Sequence, residues 1–225
     1  MKLNRILSSV ALSALLVTPA AAQRQFDITT KPGAPVQSTM YGIFFEDINF
    51  GADGGLYAEM VENRSFEFPN RLMGWNTWGN VSVSSIKPAF DRNPNYVVLE
   101  PSGHREKSTG LENRGFFGMG LKKGMKYNFS VYGRLHLLNG KQAKIRVELV
   151  DENNNPMERK SITITNNQWK KYSVELTSKQ TLQKGYMRIF LEGNESVDLD
   201  HVSMFPADNW NGLRADLVKD LEDLH

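Results

Sequence analysis

The sequence predicts a mainly β protein whose centre is an antiparallel β-sandwich of the jelly-roll type. Apolar and polar residues alternate with a period of two between Trp75 and Pro206, and turn residues recur there at short intervals. No helical periodicity interrupts this region. At roughly 130 residues it is long enough to bury its own core. We therefore expect one sandwich domain over residues 62–206, with shorter segments of other patterns on either side.

The first 22 residues have the pattern of an export signal. Lys2 and Arg5 precede an apolar run over residues 6–17, and small residues follow at Ala20, Ala21 and Ala22. The run is shorter than the ~18 apolar residues that a membrane-spanning helix needs. We expect cleavage before Gln23 and a secreted or periplasmic protein.

Composition excludes several kinds of partner and site. The chain has 27 Lys and Arg against 25 Asp and Glu, and removal of Lys2 and Arg5 with the signal leaves 25 against 25. A balanced charge argues against nucleic acid and against anionic membranes as partners. Because cysteine is absent, neither a disulfide nor a thiolate metal site is available.

The segment over residues 23–61 contains the most distinctive pattern of the chain. The apolar run Tyr41 to Phe45 ends in Glu46 and Asp47, and a glycine-rich turn follows. This pattern predicts a buried strand with carboxylates at its C-terminal tip. Leu56 to Asn63 has helical spacing, which predicts a short helix with Glu59 and Glu62 on its exposed face. Neighbours on a strand point to opposite faces, so Glu46 and Asp47 cannot flank one bond as a catalytic pair.

Within the sandwich, several residues are candidates for binding. Asp200 shares the parity of Val202 and Met204 in the last strand, which predicts a buried carboxylate in need of a partner. The four tryptophans can stack on sugar rings, although tryptophan in a sandwich usually packs in the core or at its rim. The four histidines show no spacing typical of metal ligands, and we expect surface or structural roles for them. The two sets are Trp75, Trp78, Trp169, Trp210 and His104, His136, His201, His225.

The tail over residues 207–225 changes period again. Leu213, Leu217, Leu221 and Leu224 form one apolar stripe from Asn209 onward, which predicts an amphipathic helix. A leucine stripe needs a surface to cover, so we expect the chain to be the N-terminal portion of a longer protein.

Two stretches carry a resemblance to a known family. The string YGIFFEDINFGADGGLYAE, with GAPVQSTM before it and NRSFEFP after it, resembles the first barrel strand of the α-L-arabinofuranosidases of glycoside hydrolase family 51. The closing segment VSMFPADNWNGLRADLVKDLEDLH is similar to the segment that leads into the next barrel helix of those enzymes. The resemblance implies a jelly-roll sandwich inserted after the first strand of an incomplete eightfold β/α (TIM) barrel.

The resemblance also implies an activity. Enzymes of this family release non-reducing-end arabinofuranose from arabinan or arabinoxylan with retention, using two glutamates on later barrel strands and no cofactor for catalysis. No position here matches those glutamates, so we expect the chain alone to be inactive. Only Glu46 matches an active-site residue of the family, where it binds sugar hydroxyls. Two alternatives remain open: a non-catalytic carbohydrate-binding protein, and a cell-surface module that binds no sugar.

The inserted domain resembles carbohydrate-binding modules of the galactose-binding-like class. The similar stretches are residues 63–67 with Gly74-Trp75, residues 124–130 and residues 197–204. In such modules the acid of the last strand and an acid near the first often share a structural calcium. The matching residues are Asp200 and Glu67, and oxygen-only ligation suits that ion. Alternatively, Asp200 is held by backbone amides alone.

Overall fold

The computed structural model describes residues 31–37, 40, 42–102, 108–137 and 141–224. The chain divides into two compact units, residues 1–44 and residues 45–225. The described residues of the first unit are all exposed. The predicted export signal, residues 1–22, lies outside the described residues.

The second unit contains two antiparallel sheets, which confirms the predicted β-sandwich. The first sheet has the strand order β1-β4-β10-β7-β8, with β5 paired to β10, and the second has the order β2-β3-β11-β6-β9. All pairs between these strands are antiparallel, and the barrel part of the predicted fold stays a prediction. The strands and the helix are β1 (Trp75–Trp78), β2 (Asn80–Ser84), β3 (Tyr96–Glu100), β4 (Gly110–Asn113), β5 (Met119–Leu121), β6 (Lys126–Leu135), β7 (Ala143–Val150), β8 (Pro156–Ile164), β9 (Lys170–Thr177), β10 (Leu182–Glu192), β11 (Val197–Pro206) and α1 (Ala215–Glu222).

The core lies between the two sheets and follows the alternation of the sequence. In β6, the side chains of Tyr127, Phe129 and Val131 are buried, while the residues between them are partly or fully exposed. Ile145 and Val147 of β7 and Ile189 of β10 complete the core from the six-stranded sheet. Burial of a side chain of this size contributes about 1.5–3 kcal/mol, so these faces fix the register of both sheets.

Strand β11 departs from simple alternation. Its pairing with β6 shifts register between Asp200 and Ser203, and His201 between them has a φ of 45°. This is a β-bulge, in which one extra residue of β11 faces the partner strand. The bulge changes which side chains of β11 point outward on either side of it.

The predicted buried strand at Tyr41 to Phe45 is not observed over residues 42–45, the part of it that the structure describes. Residues 42–48 form neither strand nor helix and are exposed; Phe44, for example, is 84% exposed. The backbone of a strand must pair with a neighbouring strand, and no described residue supplies such a neighbour here. Residues 42–45 of the apolar run are therefore exposed, and among the described residues no strand presents the carboxylate of Glu46.

The prediction of a helix at Leu56 to Asn63 is also wrong, because these residues form no helix. Its backbone amides bond to distant carbonyls instead: Ala58 N donates to Gly212 O at 2.8 Å and Met60 N to Met204 O at 3.0 Å. Val61 is buried in the core. This segment, residues 56–64, is an irregular strap that lies across the end of β11. Hydrogen bonds to residues distant in the sequence therefore outweigh the helical preference that its spacing suggests.

The predicted C-terminal helix is present but short. It begins at Ala215, because Asn209 to Arg214 forms a turn in which Trp210 and Leu213 pair and Gly212 has a φ of 90°. None of its residues is buried, and Leu224 beyond it is 71% exposed. In the described part of the chain, no helix is long and apolar enough to cross a membrane.

Candidate functional site

A cleft with a volume of about 610 Å³ lies on the outer face of the five-stranded sheet. Strands β9, β6 and β11 supply its floor, and the strap supplies one wall. The residues that line it are Tyr57, Arg64, Asn128, Phe129, Ser130, Tyr132, Lys171, Ser173, Val174, Glu175, His201, Ser203 and Phe205.

The cleft floor consists of rows of cross-strand neighbours. The central row is Ser203, Ser130 and Ser173, which pair across β11, β6 and β9. Cross-strand partners point to the same face of a sheet, so the three hydroxyl groups lie side by side. Serine hydroxyls both donate and accept hydrogen bonds, which suits a ligand rich in hydroxyl groups.

Aromatic residues stand on both sides of this hydroxyl row. On one side, Phe205 packs edge-on against Tyr57 of the strap, with ring centroids 5.2 Å apart. On the other side, Phe90 packs against Tyr132 at 4.9 Å and against His201 at 4.3 Å. Apolar ring surface beside hydroxyl groups is the combination that amphipathic sugar rings require.

The bulge of β11 directs His201 into the cleft. A non-glycine residue with positive φ is strained, and such residues cluster at functional sites. Here the positive φ of 45° lies at the extra residue, between Asp200 and Val202. Sequence reasoning missed His201 and Tyr132 because the strand pattern gives no sign of a bulge and because Tyr132 has the pattern of an ordinary exposed strand residue.

Asp200 is fully buried, as predicted, but the parity argument for it was wrong. Its Cα partner is Tyr132, whereas Met204 pairs with Phe129 of the core, so the carboxylate faces outward and away from Met204. The bulge reverses the parity between Asp200 and Val202. Asp200 is covered although it lies on the outer face.

Burial raises the pKa of Asp200, and the negative charge of Glu67 raises it further, while bonding to His201 partly offsets both effects. Its Oδ1 accepts a hydrogen bond from His201 N at 2.6 Å, and Nδ1 of the same ring lies 3.1 Å away without hydrogen-bond geometry. Its Oδ2 is buried and accepts no hydrogen bond from any described residue. A buried carboxylate oxygen without a hydrogen bond, whose pKa is also raised by the charge of Glu67, is consistent with a cation site.

Glu67, the other predicted calcium ligand, is already engaged. Its Oε1 accepts a hydrogen bond from Asn95 N at 2.8 Å, its Oε2 accepts one from Asn95 Nδ2, and Arg71 Nη1 lies 3.6 Å from Oε2. Among the described residues, no group of three or more His, Asp and Glu side chains could hold a metal. A calcium here would take its remaining ligands from other oxygen atoms.

Glu59 is the buried anchor of the strap, contrary to the prediction of an exposed helix face. It is 3% exposed, and its Oε1 accepts hydrogen bonds from the backbone amides of Met60, Val61 and Met204 at 2.9–3.0 Å. Ser203 Oγ donates to its Oε2 at 2.7 Å. Burial raises its pKa, although these hydrogen bonds and the charge of Arg64 lower it in part. Glu59 therefore ties the cleft wall to the cleft floor.

Glu46, the predicted sugar ligand, lies on the exposed stretch of residues 42–48, away from any regular element. Its neighbour Asp47 accepts a hydrogen bond from Ala52 N at 3.0 Å and so starts the glycine-rich turn. Glu46 stays a prediction from the family resemblance. Of the tryptophans, Trp75 is 6% exposed and belongs to the core, whereas Trp210 is 53% exposed.

The outer face of the six-stranded sheet has a different character. Asn76, Glu112, Arg188, Glu148 and Arg159 follow one another across β1, β4, β10, β7 and β8. Arg188 donates to Glu112 Oε2 at 3.0 Å, and Arg159 pairs with Glu148 at 3.0 Å. These groups therefore satisfy one another.

The electrostatics of Glu112 reflect this pairing. Burial alone would raise its pKa, but hydrogen bonds from Arg188, Arg114 and Asn76 outweigh burial, and the pKa lies below its usual value. Arg146 pairs with Glu148 at 2.9 Å and Glu192 at 2.6 Å, and it also covers the ring of Phe190.

Comparison with known proteins agrees with this architecture. Residues 58–197 match the family model of a carbohydrate binding domain. An extracellular exo-α-L-arabinofuranosidase of Streptomyces chartreusis is 34% identical over 97% of this chain and 27% of its own length. α-L-Arabinofuranosidase 1 of Arabidopsis thaliana is 29% identical over 91% of this chain and 32% of its own length.

Among solved structures, the arabinose-bound α-L-arabinofuranosidase MgGH51 of glycoside hydrolase family 51 superposes with a TM-score of 0.70 and 26% identity. The match covers 80% of this chain and 32% of that one. The family resemblance seen in the sequence is thereby confirmed. The chain spans about a third or less of the length of these relatives.

Proposed function

Since the chain belongs, through residues 58–197, to the carbohydrate binding domain family, we propose that it is the glycan-binding N-terminal part of a secreted α-L-arabinofuranosidase. The relatives that it matches are named for arabinofuranosidase activity, and one of them is described as extracellular. The ligands in this proposal are arabinose-containing polysaccharides such as arabinan and arabinoxylan.

The observation that carries the proposal is the cleft over the hydroxyl row. The rings of Tyr132 and Phe205 flank the serines of three adjacent strands, and the β-bulge of β11 brings His201 into the cleft lining, beside Phe90. The cleft holds about 610 Å³ and strap residues form one of its walls, so it is a concave site and not a flat platform. This shape suits a single soluble glycan chain better than the flat face of a crystalline polysaccharide.

Affinity electrophoresis in gels that contain arabinan, arabinoxylan or no polysaccharide tests this proposal. We expect both polymers to retard the chain. Tyr132→Ala removes ring contact worth about 0.5–1.5 kcal/mol, so it should weaken binding by roughly two- to tenfold. Phe117→Ala is the matched control, because Phe117 is 74% exposed and does not line the cleft. Equal retardation of all three proteins would contradict the placement of the site.

The alternative function is a carbohydrate-binding module that takes no part in hydrolysis. Glu59 is occupied by five hydrogen bonds, and Glu112 and Glu148 by arginines, so none of these buried carboxylates is available as an acid or base. We expect no hydrolysis of an aryl α-L-arabinofuranoside by this chain alone. Turnover that is lost in Glu46→Gln would overturn that expectation and assign a catalytic role to Glu46.

We also propose that Asp200 and Glu67 hold a structural calcium. The orphaned Oδ2 of Asp200 and the influence of Glu67 on its pKa support this assignment. When bound, the ion would neutralise two carboxylates between the start of the sandwich and β11.

A further inference from the structure

The cations of the cleft are less fully neutralised than its carboxylates. Glu175 is paired with Lys126 at 2.9 Å. Lys171 is exposed on β9, and no carboxylate of the described residues lies within ion-pair distance of its amine. Arg64, on the strap, has only one carboxylate contact, with Glu59 at 3.4 Å, and its side chain is 39% exposed. Of these two cations, Lys171 is therefore the one without a carboxylate partner among the described residues, whereas Arg64 also hydrogen-bonds to Glu59.

Lys171 and Arg64 stand near opposite ends of the hydroxyl row, which runs from β11 across β6 to β9. Lys171 pairs with Tyr132 on the β9 side, while Arg64 lies beyond β11, where its carbonyl accepts a hydrogen bond from Val202 N at 2.9 Å. Adjacent strands are 4.7–4.9 Å apart, so β9 and β11 are separated by roughly 10 Å. A glycan that lies along the serine row would therefore have Lys171 near one end and Arg64 near the other.

Arginines on the outer face of the six-stranded sheet are paired with carboxylates, unlike Lys171 in the cleft. There Arg188, Arg146 and Arg159 each contact a carboxylate at 3.0 Å or less. The chain without its predicted signal also has equal numbers of basic and acidic residues, as counted above. The open charge at Lys171 therefore does not come from an overall excess of basic residues.

We propose that the cleft recognises glycan chains that carry uronic-acid residues, with the sugar hydroxyls on the serine row and the carboxylate at Lys171. Lysine binds a carboxylate as a point charge. This inference rests on the proposed glycan-binding function and names the chemical class of the ligand. Neutral arabinan and arabinoxylan would bind to the same floor with lower affinity.

The test compares one polymer in two chemical states. The probes are glucuronoarabinoxylan and the same polymer after carboxyl reduction, which converts each uronic acid to a neutral sugar. We expect the purified chain to bind the native polymer about tenfold more tightly, and we expect added salt to abolish that difference, because exposed charges are screened. Equal affinity for the two polymers would overturn the inference and leave the proposed glycan binding intact. Binding to neither polymer would overturn both.

Two variants locate the effect. Lys171→Gln should lower affinity for the native polymer about fivefold more than it lowers affinity for the reduced polymer. Lys170→Gln is the matched control, because it removes the same charge from the adjacent exposed position, which does not line the cleft. If the two variants behave alike on the native polymer, Lys171 has no specific role and the inference fails. Both residues are exposed, so neither variant should change the melting temperature.

Discussion

The two outer faces of the sandwich differ in how their charged groups are satisfied. On the six-stranded sheet, Glu112 and Glu148 lie between arginines of neighbouring strands, and each charge has a partner on the same surface. On the five-stranded sheet, Asp200 keeps an oxygen without a hydrogen bond from the described residues, and Lys171 has no carboxylate partner among them. The glutamates of the first face are thus paired within that face, whereas the second face has a carboxylate oxygen and an amine without such partners. We infer that the second face is the one adapted to a ligand.

The largest change in stability is expected when a charge pair on the six-stranded sheet is removed. Arg188→Met removes a partner of Glu112, whose side chain is 7% exposed. Glu112 would keep Arg114 and Asn76 as partners but lose the hydrogen bond to its Oε2. We expect the free energy of unfolding to fall by about 3 kcal/mol, the upper end of the contribution of a hydrogen bond to a charged group. Urea denaturation measures this loss.

The control for Arg188→Met is Lys171→Met on the other face, which should cost less than about 0.5 kcal/mol, since surface substitutions of this kind have small effects. Glycan binding should survive in Arg188→Met under conditions where it is folded. Equal stability losses in the two variants would mean that the faces do not differ in the way described.

Calcium should stabilise the protein if it binds at Asp200 and Glu67, where Asp200 Oδ2 lacks a hydrogen bond. An ion that binds only the folded state stabilises it by about 2.7 kcal/mol at a hundredfold excess over its Kd. We therefore expect the melting temperature to rise with added calcium and to fall with a chelator. The double variant Glu67→Gln with Asp200→Asn should lose this response, whereas Glu112→Gln on the opposite face should retain it. A melting temperature that is the same in calcium and in chelator would show that Asp200 is held by hydrogen bonds alone.

Much of the sandwich could be predicted from the sequence because its alternation reports directly on burial. Phe129 and Val131 of β6 and Ile145 and Val147 of β7 lie in the core as their period of two indicates. The same rule failed for Asp200, because a bulge adds one residue to β11 and reverses the parity there. A pattern of alternation carries no signal for such an insertion.

The strap and the cleft could not be predicted for a different reason. Leu56 to Asn63 has helical spacing, but its amides are taken by the carbonyls of Met204 and Gly212, far away in the sequence. The burial of Glu59 depends on those same long-range contacts. Tyr132 and His201 become neighbours of Phe90 only through the pairing of β11 with β6 and the course of a distant loop. Local patterns do not encode such proximity.

The smallest expected effect concerns pH, where two buried glutamates should act in opposite directions. Burial raises the pKa of Glu59 above its ordinary value of 4.5, so the folded state holds its proton more tightly than the unfolded chain does. Stability from this group therefore falls as pH rises from about 4.5 through its folded pKa. The arginines beside Glu112 overcome the opposing effect of burial and lower its pKa, so its contribution is present above 4.5 and is lost as pH falls through its folded pKa.

The two pH windows do not overlap, which allows them to be measured separately by urea denaturation in chelator at a series of pH values. Glu59→Gln should alter the pH dependence only above about pH 4.5, and Glu112→Gln only below it. Each effect should be on the order of 1.4 kcal/mol for every tenfold difference in proton affinity between the folded and unfolded chain. Wild-type protein should show both slopes. If Glu59→Gln left the slope above pH 4.5 unchanged, the carboxylate of the strap would be ionised in both states alike. The hydrogen bonds from Met60, Val61, Met204 and Ser203 would then fully compensate its burial.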